Sequence, residues 1–259
     1  MSLAQSIIYN VPSLFLGAII IVSALIMAVS GLYIVRKNFS HQKLKTHNDI
    51  AGAIFNTLGV AYAVLMTFVV MSVWENFEKS RQNVAGEANC LADLYRNSDG
   101  FSADFRARIK DLSTGYANAI INDEWEMLAK GDSSPAAQKA FDSLSEAYTT
   151  YSPSTEREKI FFAESVRKLT ELSDLRRMRI VDAGSGIHPT LWLVLLVGGV
   201  TTIVFTFFFG SENPRAQMLM TVLLAVMIAL ILYTILMFDF PFTGGIRISP
   251  RAFDNIISG

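Results

Sequence analysis

The chain has 259 residues, of which 51% are hydrophobic, a formal net charge of -1 and one cysteine, Cys90. A lone cysteine excludes an internal disulfide framework and the common Cys-rich metal sites, and without a concentrated basic surface nucleic acid is excluded as a partner. The mean hydropathy of +0.36 is above what a soluble domain of this size carries.

The excess lies in blocks. Residues 12–35, 50–74, 189–210 and 216–238 contain no charged side chain, and each is long enough for a helix to cross the hydrocarbon. The first block is too long for a signal peptide and follows no basic stretch, so it reads as a retained span with Pro12 in its first turn. The next loop carries Arg36, Lys37, Lys43 and Lys45, which alone would be cytoplasmic. Lys79, Arg81, Arg176, Arg177, Arg179, Arg247 and Arg251 oppose it. With Arg215 between the last two spans on the side of the first loop, roughly five basic residues against seven leave the orientation open.

The second block begins the stretch around which the chain is organised, residues 49–96. Charged residues enter after Trp74, yet no turn signal interrupts the helical rhythm before Asn97-Ser98-Asp99-Gly100. Beyond Trp74, Gly86 is the only breaker, and its cost of about 1 kcal/mol would not end a packed helix. One helix of this length spans about 70 Å, enough to cross a bilayer and continue into water. Val84, Ala88, Leu91 and Tyr95 keep its period beyond the span.

More helices are predicted in the polar segment that follows. Ser102 is placed to cap one whose stripe is Phe105, Ile109, Leu112, Tyr116 and Ile120, running on towards Trp125 and Leu128 until Gly131. Ser134-Pro135 starts another, with Phe141, Leu144 and Tyr148 on one face. Thr155 and Glu158 have capping-box spacing ahead of a helix through Phe162, Val166, Leu169 and Leu172 to about Val181. Residues 182–186 read as a flexible joint. A tight turn over 210–214 makes the last two spans antiparallel neighbours, and Asp239-Phe240-Pro241-Phe242-Thr243-Gly244-Gly245 closes the fourth. The expectation is an all-α integral membrane protein with a transmembrane hairpin over 1–74, a helical extramembrane domain over 75–188, a second hairpin over 189–245 and a tail over 246–259.

Nothing in the sequence assembles catalysis. His41 and His47 are six apart, not the four that put two ligands on one helix face, and both lie in a basic loop. His188 precedes Pro189 and suits the start of a helix better than a metal. The run Asp123-Glu124-Trp125-Glu126 reads as a solvated face, because adjacent helical side chains diverge. Gly184-Ser185-Gly186 follows no strand and makes no nucleotide-binding fingerprint. No catalytic residue, metal or cofactor is expected.

The second block offers a different signal. Gly52, Asn56, Ala63 and Thr67 share one side of the helix, and Met71 and Trp74 continue the line. In a membrane such groups pack against another helix or face a water-filled path, and the residue types suit both.

Several short motifs together resemble one family. They are Tyr62-Ala63-Val64-Leu65, Trp74-Glu75-Asn76-Phe77 with Arg81, Glu87-Ala88, Tyr95-Arg96, Tyr116 with Glu124-Trp125, Leu191-Trp192, and Asp239 to Gly244. Their order is similar to that of bestrophins, and the chain resembles the bacterial bestrophin-like group catalogued as a domain of unknown function. The resemblance implies a pentameric ion channel in the bacterial inner membrane, with the second span lining the pore and a cytoplasmic helical domain. Its partners would be further copies of itself, the lipid bilayer and a permeant ion of unknown identity. Carried over, Asn56, Ala63 and Thr67 would hydrate the ion, Val60 and Val70 would form apolar constrictions, and Trp74 would end the line. Asp239, Pro241, Phe242 and Gly244 would form the turn anchoring the membrane domain to the extramembrane one. Ile246-Arg247-Ile248-Ser249-Pro250 replaces the acidic cluster of calcium-gated bestrophins, so no calcium clasp is expected. The competing reading is a non-conducting scaffold or sensor whose helical domain binds a partner.

Overall fold

A computed structural model describes residues 3–257, and every regular element among them is helical. In chain order these are α1 (Leu3–Asn10), α2 (Ser13–Asn38), α3 (His41–Lys45), α4 (Asn48–Asn97), α5 (Ala103–Ala119), α6 (Trp125–Leu128), α7 (Pro135–Thr150), α8 (Glu156–Gly184), α9 (Pro189–Phe207), α10 (Pro214–Phe238) and α11 (Asp254–Ile257). A π turn, Ile120–Glu124, joins α5 to α6, and 3-10 turns occupy Ser98–Gly100 and Pro250–Phe253.

The chain divides into two compact units. Residues 11–75 and 187–239 make a membrane unit; residues 3–10, 76–186 and 240–257 make a helical unit. Residues 3–10 and 246–257 therefore fold with the helical unit, where the sequence pattern grouped them with the first hairpin and as a separate segment. Residues 258 and 259 of the tail lie outside the described residues.

In the membrane unit, α2, α4, α9 and α10 are long and apolar enough to cross a membrane. α2 packs on α9 and α10, and these two pack on each other. α9 stops at Phe207 rather than 210. α10 starts at Pro214 rather than 216, because Asn213 Oδ1 accepts the N–H groups of Arg215 and Ala216 at 3.1 Å each and Pro fits the first turn. Arg36 and Asn48 are bound at this end rather than free in the loop. Arg36 donates to Gln217 Oε1 and, at 2.9 Å, to the Ser211 carbonyl. The Asn48 carboxamide exchanges hydrogen bonds with the Gly210 backbone at 2.8 and 2.9 Å. His188 caps α9, its Nδ1 accepting the Thr190 N–H at 3.3 Å. Tyr62 donates to the Leu195 carbonyl at 2.8 Å and packs where a side chain at Gly199 would come within 2.9 Å of its hydroxyl, the close approach that small residues permit in membranes. Leu14, Ile26, Leu193, Leu219, Leu223 and Met227 are exposed, a surface suited to lipid.

The helical unit has its own core. Val84, Leu91 and Leu94 of α4 pack with Ile109 and Tyr116 of α5, Leu144 and Tyr148 of α7, and Leu169 and Leu172 of α8. Ser102 holds the N-cap position of α5 but makes no cap bond, whereas Ser134 Oγ accepts the Ala136 and Ala137 N–H groups at 3.1 and 3.3 Å. On α8 it is Ser165, not Val166, that faces the core. The stripe from Phe105 continues past Ile120 through the π turn to Leu128, and Gly131 ends it at φ +80, a conformation open to glycine. Residues 182–186 are not a free joint: α8 runs to Gly184, and Asp182 Oδ2 accepts hydrogen bonds from Ser80 Oγ at 2.7 Å and Asn83 Nδ2 at 3.3 Å. α1, too short to show a period, docks through the buried Gln5, which donates to the Ala183 carbonyl at 3.0 Å and to Thr243 Oγ1 at 3.3 Å.

The capping box of α8 forms, Glu158 N–H reaching Thr155 Oγ1 at 3.1 Å and Thr155 N–H reaching Glu158 Oε2 at 3.3 Å. The Ser154 N–H, and then its hydroxyl, hold the Glu158 carboxyl down at about 2. A carboxyl lowered in the folded state stabilises it above the unfolded value, and that contribution is lost as pH falls through the folded one. Far-UV circular dichroism of the detergent-solubilised protein should therefore show helix lost between pH 4.5 and about 2. Glu158→Gln should remove its share of that loss, the carboxyls of Glu78, Asp93, Asp99 and Glu164 being lowered too, and an acid profile identical to wild type would contradict this role.

Candidate functional site

The first half of α4 has one face turned into its own protomer and another turned away. Tyr62, Met66, Val69 and Val73 are buried in the core of the membrane unit. Rotated from that row, Asn56, Val60, Ala63, Thr67 and Trp74 are exposed and Val70 is half-buried. The stripe is not uniform. Ala63, Thr67 and Val70 line a mainly apolar groove of ≈ 490 Å³ shared with Leu224, Met227 and Ile231 of α10, while Asn56, Val60 and Trp74 lie outside it. Thr67 spends its hydroxyl on the Ala63 carbonyl of its own helix, at 2.8 Å. The Trp74 ring meets Phe238 edge-on at 5.2 Å. In α9 the Thr202 and Thr206 hydroxyls also bond their own helix, at 2.8 and 2.6 Å.

The closing turn splits between the units. Asp239, which follows α10, is buried and accepts the Ile187 N–H at 2.6 Å and the Trp192 indole N–H at 3.2 Å. Burial raises its carboxyl above the usual range despite these two donors. In the helical unit the Pro241 carbonyl accepts the Ile248 N–H at 2.9 Å, and Thr243 Oγ1 donates to the Ala129 carbonyl at 2.8 Å. Phe242 is fully buried, edge-on to Trp125 at 5.6 Å, and Gly244 turns the chain at φ +86.

The expectation of a solvated acidic run fails at Glu124. Asp123 and Glu126 are exposed, but Glu124 is fully buried. It belongs to a cluster that joins α4, α5, the π turn and α8. Arg179 donates to Glu87 Oε2 at 2.6 Å and Oε1 at 3.1 Å, and to Glu124 Oε2 at 2.7 Å. Arg176 donates to Glu124 Oε1 at 3.0 Å and to Gln138 at 2.8 Å. The Tyr116 hydroxyl donates to Glu87 Oε1 at 2.7 Å. Burial acts to lower the Arg179 pKa, but the charges of Glu87 and Glu124 and the hydrogen bonds to Glu87 outweigh it and raise it. Burial, and then the Glu87 charge, push the Tyr116 hydroxyl well up. Two carboxylates and two guanidiniums balance, so the cluster acts as an internal clamp. Arg176 and Arg179, counted as basic flanks of the third span, are thus core residues.

Among the described residues no group of three or more His, Cys, Asp or Glu side chains could hold a metal ion. His47 is exposed; the side chain of His41 lies outside the described residues. After the turn, Arg247 and Ser249 line a hollow of ≈ 380 Å³ with Trp125 and Glu126.

No match is found among curated proteins. Solved structures give a strong likeness of fold. A bacterial bestrophin homologue from Klebsiella pneumoniae, in a singly substituted form, has a TM-score of 0.69 at 14% identity over 93% of this chain and 97% of that one. A second structure of the Klebsiella pneumoniae homologue gives 0.68 at 14% over 93% and 95%. A substituted form of a membrane protein gives 0.67 at 15% over 92% and 95%. A sequence profile of the bestrophin-like domain matches residues 22–253, which contain α4, the buried cluster and the closing turn. The chain belongs to the bestrophin-like family.

Proposed function

We propose that the chain assembles as a homo-oligomer, a pentamer, in the bacterial inner membrane and conducts ions along an axis lined by α4. One observation carries this reading: the face of α4 bearing Asn56, Val60, Ala63, Thr67 and Trp74 is exposed, while the row of Tyr62, Met66, Val69 and Val73, about 110° round the helix, is packed. Copies related by closed symmetry bring identical faces together, and a face with a carboxamide is better matched to a wet axis than to lipid. The family supports the same reading, since bestrophins are ion channels. Asn56 would hydrate the ion, with Val60 and Val70 as apolar constrictions. The turn from Asp239 through Pro241, Phe242 and Gly244 would anchor the membrane domain to the helical one.

A specific observation favours the second reading, a scaffold that does not conduct. Thr67 is satisfied on its own helix, and Ala63, Thr67 and Val70 line a groove that a helix of another copy could fill. Ion flux through purified protein in liposomes separates the two. Wild type should conduct, and Asn56→Leu should cut the flux about tenfold with assembly intact, the loss of one hydrating ring being about 1.4 kcal/mol. An intact oligomer that passes no ion would establish the scaffold.

A further inference from the structure

We propose that the ion pair between Glu78 and Arg81 sets charge selectivity along α4, an inference that rests on α4 lining the path. Val60, Thr67, Trp74 and Arg81 recur every seven residues on this helix. A straight α-helix drifts about 20° per heptad, so the four remain on one face, and all four are exposed. Glu78 lies one turn before Arg81 on that face and is the first charge met on it after the uncharged span. Glu75 and Lys79 point about 100° or more away from Trp74. The pair is bidentate: Arg81 Nε donates to Glu78 Oε2 at 2.9 Å and Nη2 to Oε1 at 2.7 Å, with Gln82 Nε2 adding a bond to Oε1 at 3.2 Å. Hydrogen bonds from Arg81 and then Gln82 lower the Glu78 carboxyl, and the bond to Glu78 raises Arg81, so both groups stay charged near neutrality.

Symmetry gives the pair its consequence. In a ring of copies each side chain is repeated around the axis, so either residue alone would make a ring of like charges that favours one sign of ion. Paired, the two rings cancel. The wild-type path therefore discriminates weakly between cations and anions at this level, and either partner unmasks the other when neutralised.

The test is the reversal potential of reconstituted protein under a sodium chloride gradient. Arg81→Gln should shift the permeability ratio towards sodium, and Glu78→Gln towards chloride, each by about tenfold, as expected for a potential of a few kT. The charge-swapped double variant, Glu78→Arg with Arg81→Glu, should restore the wild-type ratio. A conducting wild type whose ratio is unchanged in both single variants, or moves the same way in both, overturns the selectivity role and leaves the channel standing. A wild type that passes neither ion overturns the channel reading, and this inference with it.

Discussion

Arg179→Met should destabilise the helical unit by about 3–5 kcal/mol, the cost of leaving buried charge without its partner. Arg179 is fully buried and is the only side chain that bonds both Glu87 and Glu124 among the described residues. Without it Glu87 keeps only the Tyr116 hydroxyl, and Glu124 keeps Arg176. The thermal midpoint of the solubilised protein, followed by far-UV circular dichroism, should fall by roughly 6–20 °C. Arg179→Met with Glu87→Met should recover much of the loss, because a buried pair is worth little against an apolar one. The wild-type cluster is itself incompletely bonded, Arg179 Nη1 and Arg176 Nε having no hydrogen-bond partner among the described residues. A single variant as stable as wild type would show that the clamp carries no load.

That clamp was partly legible. Glu124 stands four residues after Ile120 and four before Leu128, and Glu87 falls between Val84 and Leu91. Arg176 and Arg179 extend the spacing of Leu169 and Leu172. Each charge therefore occupies a core position by period alone. Treating Asp123 to Glu126 as one acidic run hid this, since a helix sends neighbouring residues to different surroundings. The spans and the length of α4 were plain because hydrophobic blocks and an unbroken period are local properties. What pairs with what is not local: Arg36 and Asn48 look like loop residues until Gly210, Ser211 and the first turn of α10 are placed against them. The stripe on α4 marks a special face, but the same small residues serve a groove and a path, and only the arrangement of copies distinguishes them.

Trp125→Ala should be the most damaging substitution outside the clamp. The indole is almost fully buried, packs edge-on against Phe242 at 5.6 Å and Phe253 at 6.3 Å, and lies 5.6 Å from the Arg179 guanidinium. Its N–H donates to the Ile248 carbonyl at 3.0 Å. It thus joins the closing turn and the tail to the clamp, and truncating it removes packing worth about 3–5 kcal/mol. Trp125→Phe keeps most of the ring but leaves the Ile248 carbonyl without its donor, at about 1–3 kcal/mol. Hydrogen exchange at the Ile248 amide, which bonds the Pro241 carbonyl at 2.9 Å, reads the local effect directly. Exchange there should accelerate in both variants, more in the alanine one. If the global midpoint falls while this amide stays protected, Trp125 serves the core alone and the tail is held by something else. If both respond in order Ala, then Phe, the aromatic contact and the indole hydrogen bond each hold the segment after the fourth span to the helical unit.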